Sequence, residues 1–421
     1  MNKQPPATNY LQRSLTYMHQ FGQENFTPFF HALDNEYRGQ IPREHFSTQW
    51  PQVIQAFGAQ QKVLHSAVFQ EDGNTIVEIT TLHILRKLIT NFTYSGAGTV
   101  IGCSLRLAPL DVSPQSGETW EEHAIRVGPL EKKLNGLLTL PRGVEKPSVI
   151  LLLQGSGPSN LNEQVGLGGN KPFEDIAHGL AARGVASIRY DKRSYAYPED
   201  AIYAGVELEY LDDADDAIRL LREDPRVDGS RIFLLGHSEG GMIGPEILRR
   251  NPKIRGFVSL AGTLRRLEDL MLEQVKKILA DAQTLSEDQK QDQLAAMEQA
   301  VRQIKSSDNE EETTMIAGAS VRYWRSLNAI DAPAIMRQLD IPTLILQGGE
   351  DFQVLAHVDY PLWQDTLSGK TNVTFHLYPT LNHLFMPGGT KDHIDLSVYN
   401  TPSHVDQEVI RDIASWVNLI L

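Results

Sequence analysis

Residues 236–241 read Gly-His-Ser-Glu-Gly-Gly and match the pattern G-x-S-x-G. In this pattern a serine occupies a sharp turn between a strand and a helix, and the small residues on either side prevent backbone collisions. An apolar run, Ile232–Leu235, leads into the segment, and a helix-like stretch follows it. The sequence therefore predicts that Ser238 is a nucleophile presented above a sheet. The alternative is a glycine-rich turn that contains a serine by chance.

A serine hydroxyl is a weak nucleophile at neutral pH, so it needs a histidine base and an acid that orients the base. In proteins that carry this motif, the acid and the histidine come after the serine along the chain. We expect Asp351, in the loop after the run Thr343–Leu346, to be the acid, and His383, after Val373–Leu377, to be the base. The competing residues are Glu350 and Asp359 for the acid, and His357, His376, His393 and His404 for the base.

The same chemistry needs two N–H donors for the oxyanion of a tetrahedral intermediate. The backbone N–H of Glu239, directly after the serine, is the first candidate. The second is the N–H of Ser156, in the loop Gln-Gly-Ser-Gly-Pro that follows the apolar run Val149–Leu153. Glycines allow the backbone of such a loop to approach a substrate closely. An ordinary Gly-Pro turn is the alternative.

These residues require a sheet that brings several loops to one edge. Six continuous apolar runs suit strands buried on both faces of a parallel sheet: Val149–Leu153, Ala186–Tyr190, Ile232–Leu235, Gly256–Leu260, Thr343–Leu346 and Val373–Leu377. Helical segments separate most of them, including Phe173–Arg183, Leu211–Glu223 and Gly241–Arg249. Alternating strands and helices predict an α/β fold with a doubly wound, mostly parallel sheet, formed by residues 122–261 and 339–421.

The interval at residues 262–338 interrupts this alternation. Leu267–Gln283 and Ser286–Ile304 look like long amphipathic helices, and no strand is indicated between Leu260 and Thr343. We expect a helical cap over the site, because functional loops gather at the carboxyl ends of parallel strands. The alternative is a peripheral bundle that only covers surface.

Residues 1–110 predict a separate α+β domain, followed by a linker at 111–121. Helical spacing dominates from about Tyr10 to Phe57, and four strands then follow at Val63–Phe69, Thr75–Leu82, Leu85–Phe92 and Thr99–Arg106. A chain of 421 residues exceeds what one hydrophobic core usually organises, so more than one unit is expected.

The charge and the apolar content of the chain limit its possible binding partners. The formal net charge of −14 makes nucleic acid and anionic membranes poor partners, and no apolar run reaches membrane-spanning length. Cys103 is the single cysteine, in an apolar strand-like stretch that indicates a buried structural thiol. The N-terminal residues resemble no secretory signal, so a cytoplasmic location is the default expectation, with a processed secreted form as the alternative. Whether the protein forms a homodimer is left open.

From Leu137 to the C-terminus the sequence resembles bacterial carboxylesterases of the α/β-hydrolase superfamily that carry a helical cap. The residues that support this are Gln154–Pro158, Asn170–Phe173, Arg189–Arg193, Gly236–Gly241, Gln347–Val354 and Leu381–Phe385. Residues from about Phe26 to Pro109 are similar to an uncharacterised α+β domain often fused to such esterases. The resemblance implies Ser238, Asp351 and His383 as a catalytic triad. This chemistry requires no metal or organic cofactor, and no Cys/His cluster in the sequence suggests one.

Two positions depart from the family pattern. The oxyanion loop usually begins His-Gly and here begins Gln154-Gly155, and the stretch at residues 159–162 is polar where charged residues are usual. The charged segment Arg189–Arg193 predicts an ion-pair network that holds a loop.

We predict a carboxylesterase that acts on a small ester. The alternatives are a peptidase, thioesterase or acyltransferase with the same triad, or a non-catalytic binding protein.

Overall fold

A computed structural model describes residues 7–42, 44–83, 86–108, 112–166, 168–282, 285–307, 310–392 and 394–420. The chain divides into two compact units, Met1–Leu110 and Asp111–Leu421. No helix in these described ranges combines the length and the apolar character that a membrane span requires.

The described residues of the first unit form four helices followed by a four-stranded antiparallel sheet. The helices are α1 (Ala7–Gly22), α2 (Thr27–Ala32), α3 (Asn35–Gln40) and α4 (His45–Phe57). The strands pair in chain order: β1 (Gln60–Glu71), β2 (Asn74–His83), β3 (Lys87–Tyr94) and β4 (Val100–Leu107). Asp72 and Gly73 both have positive φ, 48° and 79°, as a two-residue hairpin turn requires.

The core of this unit is rich in aromatic side chains. Buried and half-buried side chains alternate along β2, so one face of the sheet is covered. Phe21 and Phe29 pack edge-to-face at 5.1 Å between ring centroids, and Phe29 lies 5.5 Å from Phe92 of β3. Aromatic pairs of this geometry contribute beyond the area that they bury. Cys103 lies on β4 and is half-buried, so the expectation of a buried thiol holds only in part. Desolvation raises the pKa of its thiol to about 12, which is typical of an unreactive cysteine.

The second unit is built on an eight-stranded sheet. Its strands are β5 (Trp120–Val127), β6 (Leu134–Pro141), β7 (Val149–Leu153), β8 (Ala186–Tyr190), β9 (Ile232–His237), β10 (Gly256–Leu260), β13 (Thr343–Gly348) and β14 (Val373–Tyr378). The spatial order is β14-β13-β10-β9-β7-β8-β6-β5. The six strands from β14 to β8 are parallel, and β6 and β5 are antiparallel additions at one edge. The predicted mostly parallel sheet is confirmed.

Helices cover both faces of this sheet. They are α5 (Pro172–Ala181), α6 (Arg193–Ala196), α7 (Asp212–Glu223), α8 (Glu239–Arg250), α13 (Ala356–Thr366) and α14 (Gln407–Leu419). One apolar cluster includes Leu151, Leu234 and Ile243, and a second cluster includes Ile150, Phe233 and Ile410. Adjacent strand residues therefore enter opposite cores, which explains why these strands are continuous apolar runs.

The described residues between β10 and β13 form four α-helices and a short hairpin. The helices are α9 (Leu267–Asp281), α10 (Glu287–Lys305), α11 (Val321–Asn328) and α12 (Ala332–Gln338), and the hairpin pairs β11 (Met315–Ile316) with β12 (Ala319–Ser320). Ser286 caps α10 through a reciprocal capping box with Gln289. The helical interval is as predicted, but the hairpin contradicts the expectation that it lacks strands.

Other sequence expectations differ from the structure in detail. The strands β5 and β6 precede the first predicted strand of the sheet, and β5 begins at Trp120, inside the segment proposed as a linker. Charged residues interrupt β5, which is half-exposed, and polar residues interrupt β6, so neither is a continuous apolar run and that criterion missed both. The ends of two predicted elements, Leu85 and Gln283, lie outside the described residues, as does His393.

Candidate active site

Ser238 lies at the tight turn between β9 and α8. Its φ of 53° and ψ of −118° are unusual for a residue with a side chain, and such strain is concentrated at functional sites. A Cβ at Gly236 would lie 2.2 Å from the Gly240 carbonyl oxygen, and one at Gly240 would lie 2.5 Å from that of Leu153. The turn therefore requires both glycines of the sequence motif.

His383 and Asp351 meet at the same edge of the sheet, in the loops after β14 and β13. Nδ1 of His383 lies 2.8 Å from Oδ2 of Asp351, and both side chains are buried. Asp351 also accepts hydrogen bonds from the backbone N–H groups of Gln353 and Val354 and from Nε2 of Gln347. Because Nδ1 donates to the carboxylate, Nε2 of His383 is left as the proton acceptor.

The competing acids and histidines lie elsewhere. Glu350 pairs with Lys391 at the surface, and Asp359 lies on α13, where it binds Thr263 and Arg265. His376 lies within β14 and pairs with Asp412, and His404 pairs with Asp175. His357 lies on α13. Among the candidates in the described ranges, the structure brings only Asp351 and His383 into hydrogen-bond contact.

The loop after β7 lies directly against Ser238, since a Cβ on Gly155 would be 3.1 Å from Cβ of Ser238. Gln154 fixes the start of this loop through a hydrogen bond from Nε2 to the carbonyl oxygen of Tyr190. Within the described part of the chain, the backbone N–H groups of Ser156 and Glu239 have no hydrogen-bond acceptor. Two such donors beside one serine suit an incoming oxyanion.

Lys192 and Tyr210 hold the carbonyl group of Gly155. Nζ of Lys192 donates to this oxygen at 2.9 Å, and the hydroxyl of Tyr210 lies 2.7 Å from it. Lys192 itself is buried and lies 3.6 Å from the carboxylate of Glu209. The expected ion-pair network of residues 189–193 is present, and its lysine orients the loop that carries Ser156.

The side chain of Glu239 is buried beside the nucleophile. The hydroxyl of Tyr323 donates to its Oε1 at 2.7 Å, and the Tyr210 hydroxyl lies 3.1 Å from Oε2. Burial, and next the Glu239 carboxylate, raises the pKa of both tyrosines well above the ordinary value, so both hydroxyls keep their protons. Tyr323 belongs to α11, so the helical interval is tied to the residue after Ser238.

His237 and Glu163 form a second buried pair next to the nucleophile. Nδ1 of His237 lies 2.9 Å from Oε1 of Glu163, and Nε2 lies 3.0 Å from the carbonyl oxygen of His383. The same Oε1 of Glu163 accepts the backbone N–H of Gly155 at 2.6 Å. Neither residue was among the candidates from sequence. The only indication in the sequence was that each is a titratable residue next to a predicted loop, the nucleophile turn for His237 and the oxyanion loop for Glu163.

Two cavities meet at Ser238. The first, of about 490 Å³, is lined by Glu163, His237, His383 and Tyr399; we call it the loop-side cavity. The second, of about 420 Å³, is lined by Leu270, Met271, Tyr323 and Trp324 of the helical interval; we call it the cap-side cavity. Ser156, Pro158, Ser238 and Gln353 line both cavities. The helical interval thus forms a wall of the site, as expected of a cap.

The sheet order, the strained serine between β9 and α8, and the later Asp351 and His383 define the α/β-hydrolase class. Residues 170–387, just over half of the chain, match the Hydrolase_4 family, described as serine aminopeptidase, S33. The chain belongs to this family, and it is a serine hydrolase.

A relative and two solved structures illustrate the similarity. "Esterase EstD" of Thermotoga maritima is 30% identical over 416 residues, which cover 96% of this chain and 95% of that protein. An esterase of Pyrococcus furiosus is 13% identical, with a TM-score of 0.46 over 74% of this chain and 97% of its own. A puromycin-hydrolyzing peptidase of Mycobacterium tuberculosis is 13% identical, with a TM-score of 0.47 over 86% of this chain and 48% of its own.

Proposed function

We propose that the protein is a carboxylesterase that cleaves small carboxylic esters through an acyl-enzyme on Ser238, with His383 as base and Asp351 as the acid that orients it. The observation that carries the proposal is the hydrogen bond of 2.8 Å between His383 and Asp351 at the edge of the sheet where Ser238 lies. The similarity over nearly the full length to a protein named an esterase supports esters as the substrates.

In the proposed mechanism, the nucleophile, the base, the acid and the oxyanion donors each have one role. His383 takes the hydroxyl proton of Ser238 through Nε2 as the oxygen attacks the ester carbonyl carbon, and Asp351 stabilises the resulting imidazolium. The N–H groups of Ser156 and Glu239 bind the oxyanion. His383 then returns the proton to the departing alcohol, and water cleaves the acyl-enzyme by the reverse sequence. The Ser238 hydroxyl has no hydrogen bond within the described residues, and such contacts often tighten only when substrate binds.

We propose a place for each half of the ester from the positions of the two cavities. The leaving alcohol must lie beside His383, which protonates it, and His383 lines the loop-side cavity. The acyl group therefore occupies the cap-side cavity, whose apolar wall includes Leu267, Leu270 and Met271. A wall of this kind favours an aliphatic or aromatic acyl group.

The test uses p-nitrophenyl esters of acetate, butyrate and hexanoate with the full chain. We expect the wild-type protein to hydrolyse them and Ser238→Ala to lose nearly all of this activity, because the acyl-enzyme cannot form. Matched aminoacyl anilides and acyl thioesters are measured in parallel, and a higher kcat/KM for either class would replace the ester assignment. Ester hydrolysis retained in Ser238→Ala would reject the mechanism.

A further inference from the structure

We propose that Glu163 and His237 form a charged clamp that positions the loops of Ser156, Ser238 and His383 for the reaction, and that the clamp works with His237 protonated on both ring nitrogens. This inference rests on the proposed function. Glu163 and His237 are positioning residues, since neither is assigned a contact with the reacting atoms.

The hydrogen bonds of the clamp join three separate loops. Glu163 accepts the backbone N–H of Gly155, next to Ser156, and it pairs with His237, next to Ser238. His237 in turn contacts the main-chain carbonyl of His383. The rings of His237 and His383 also lie 4.7 Å apart between centroids. A shift of any one loop is therefore transmitted to the other two.

The partners of His237 determine its charge. A carbonyl oxygen only accepts hydrogen bonds, so Nε2 of His237 must carry a proton. Nδ1 faces Oε1 of Glu163, and an ionised carboxylate only accepts hydrogen bonds, so in the clamp Nδ1 also carries a proton and the ring is an imidazolium. Burial alone lowers the pKa of His237, but the Glu163 carboxylate, the His383 carbonyl and the Asp351 carboxylate outweigh it, and the pKa is raised.

Two features of Glu163 lower the stability of the folded protein. Its φ of 51° lies in the left-handed region, which costs a residue with a side chain free energy. Its Oε2 atom is buried without a hydrogen-bond partner in the described structure. Strain and an unsatisfied carboxylate oxygen on one residue beside the nucleophile indicate a functional requirement.

The test compares two carboxylates that are equally buried. Glu163 and Glu122 are both 6% exposed and each pairs with a histidine, Glu122 at 2.8 Å from Nε2 of His178. Within the described residues, Glu122 has no hydrogen bond to the loops of Ser156, Ser238 or His383. Glu163→Gln and Glu122→Gln are assayed on p-nitrophenyl butyrate from pH 5 to pH 10. Active sites are counted with a stoichiometric organophosphate, and folding is followed by thermal unfolding.

We expect Glu163→Gln to lower kcat per active site by about 10²-fold, with little change in KM, since small misplacements of reacting groups have effects of this size. The alkaline limb of its kcat profile should move to lower pH, because removal of the carboxylate lowers the pKa of His237. Glu122→Gln should lower the melting temperature without moving that limb.

An alkaline limb at the same pH in Glu163→Gln and wild type, or equal losses of kcat in both Gln variants, would overturn the clamp. If Glu163→Gln does not fold, His237→Asn is used instead, and full kcat per titrated site in that variant would also overturn it. Absence of ester hydrolysis by the wild-type protein would reject the proposed function itself, whereas normal wild-type activity with an unshifted limb would reject the clamp alone.

Discussion

The two cavities that meet at Ser238 are built in different ways. The loop-side cavity is lined by loops that follow strands, and its side chains hydrogen-bond to one another and to the main chain, as Glu163, His237 and His383 do. The cap-side cavity is walled by α9 and α11, whose side chains there are mostly apolar. The difference separates two tasks, because directional bonds fix the geometry of reacting groups, whereas apolar walls set which acyl group fits.

The largest effect is expected on the loop side, from Asp351→Asn. The amide cannot stabilise the imidazolium of His383 and favours the wrong tautomer, so kcat should fall about 10⁴-fold with KM nearly unchanged. Steady-state kinetics on p-nitrophenyl butyrate measure the effect. Asp359→Asn is the matched control, because both carboxylates are 0% exposed and Asp359 binds Arg265 rather than a histidine. A similar kcat loss in both variants would show that burial, not the contact with His383, matters.

An intermediate effect is expected on the cap side, from Met271→Trp. The larger side chain fills part of the cap-side cavity, so kcat/KM for the hexanoate ester should fall about 10- to 100-fold while the acetate ester is largely spared. Competition between the two esters gives this ratio directly. Ile278→Trp changes an exposed residue of the same helix that does not line the cavity, and it should leave the ratio unchanged. Equal losses for both esters would place the acyl group elsewhere.

The smallest effect is expected from Tyr323→Phe, at the contact between α11 of the cap side and Glu239. Loss of the hydroxyl removes a donor to the buried Oε1 of Glu239, which should lower the free energy of unfolding by about 1–3 kcal/mol. The loss of kcat should be smaller than in Asp351→Asn, because the oxyanion donor of Glu239 is its backbone N–H. Denaturant unfolding measures the change, with the exposed Tyr203→Phe as the control. An unchanged stability would mean that the Tyr323–Glu239 contact contributes little.

The sequence predicts those parts of the site that depend on chain order. Ser238 and Asp351 follow the buried strands β9 and β13, and His383 follows the half-exposed edge strand β14. Because parallel strands bring their carboxyl ends to one edge, the positions of these residues could be inferred without contacts. Helical spacing of apolar residues predicted α9 and α10 of the cap. Only the place of α9 beside Ser238 required the structure.

The parts that the sequence does not predict depend on pairs distant along the chain. Glu163 and His237 are 74 residues apart, and the hydrogen bond between them follows from the fold rather than from any motif. Tyr323 and Glu239, separated by 84 residues, pair for the same reason. The strands β5 and β6 were missed because polar residues interrupt both sequences, so neither is a continuous apolar run.

Covalent labelling tests the central claim most directly. The full chain is treated with a fluorophosphonate, which phosphonylates an activated serine, and the modified peptide is identified by mass spectrometry. We predict a single adduct on Ser238 in the wild-type protein and a strongly reduced labelling rate in His383→Ala, since His383 must take the serine proton. An adduct on another residue with Ser238 unmodified, or an unchanged rate in His383→Ala, would contradict the assignment of the nucleophile and its base.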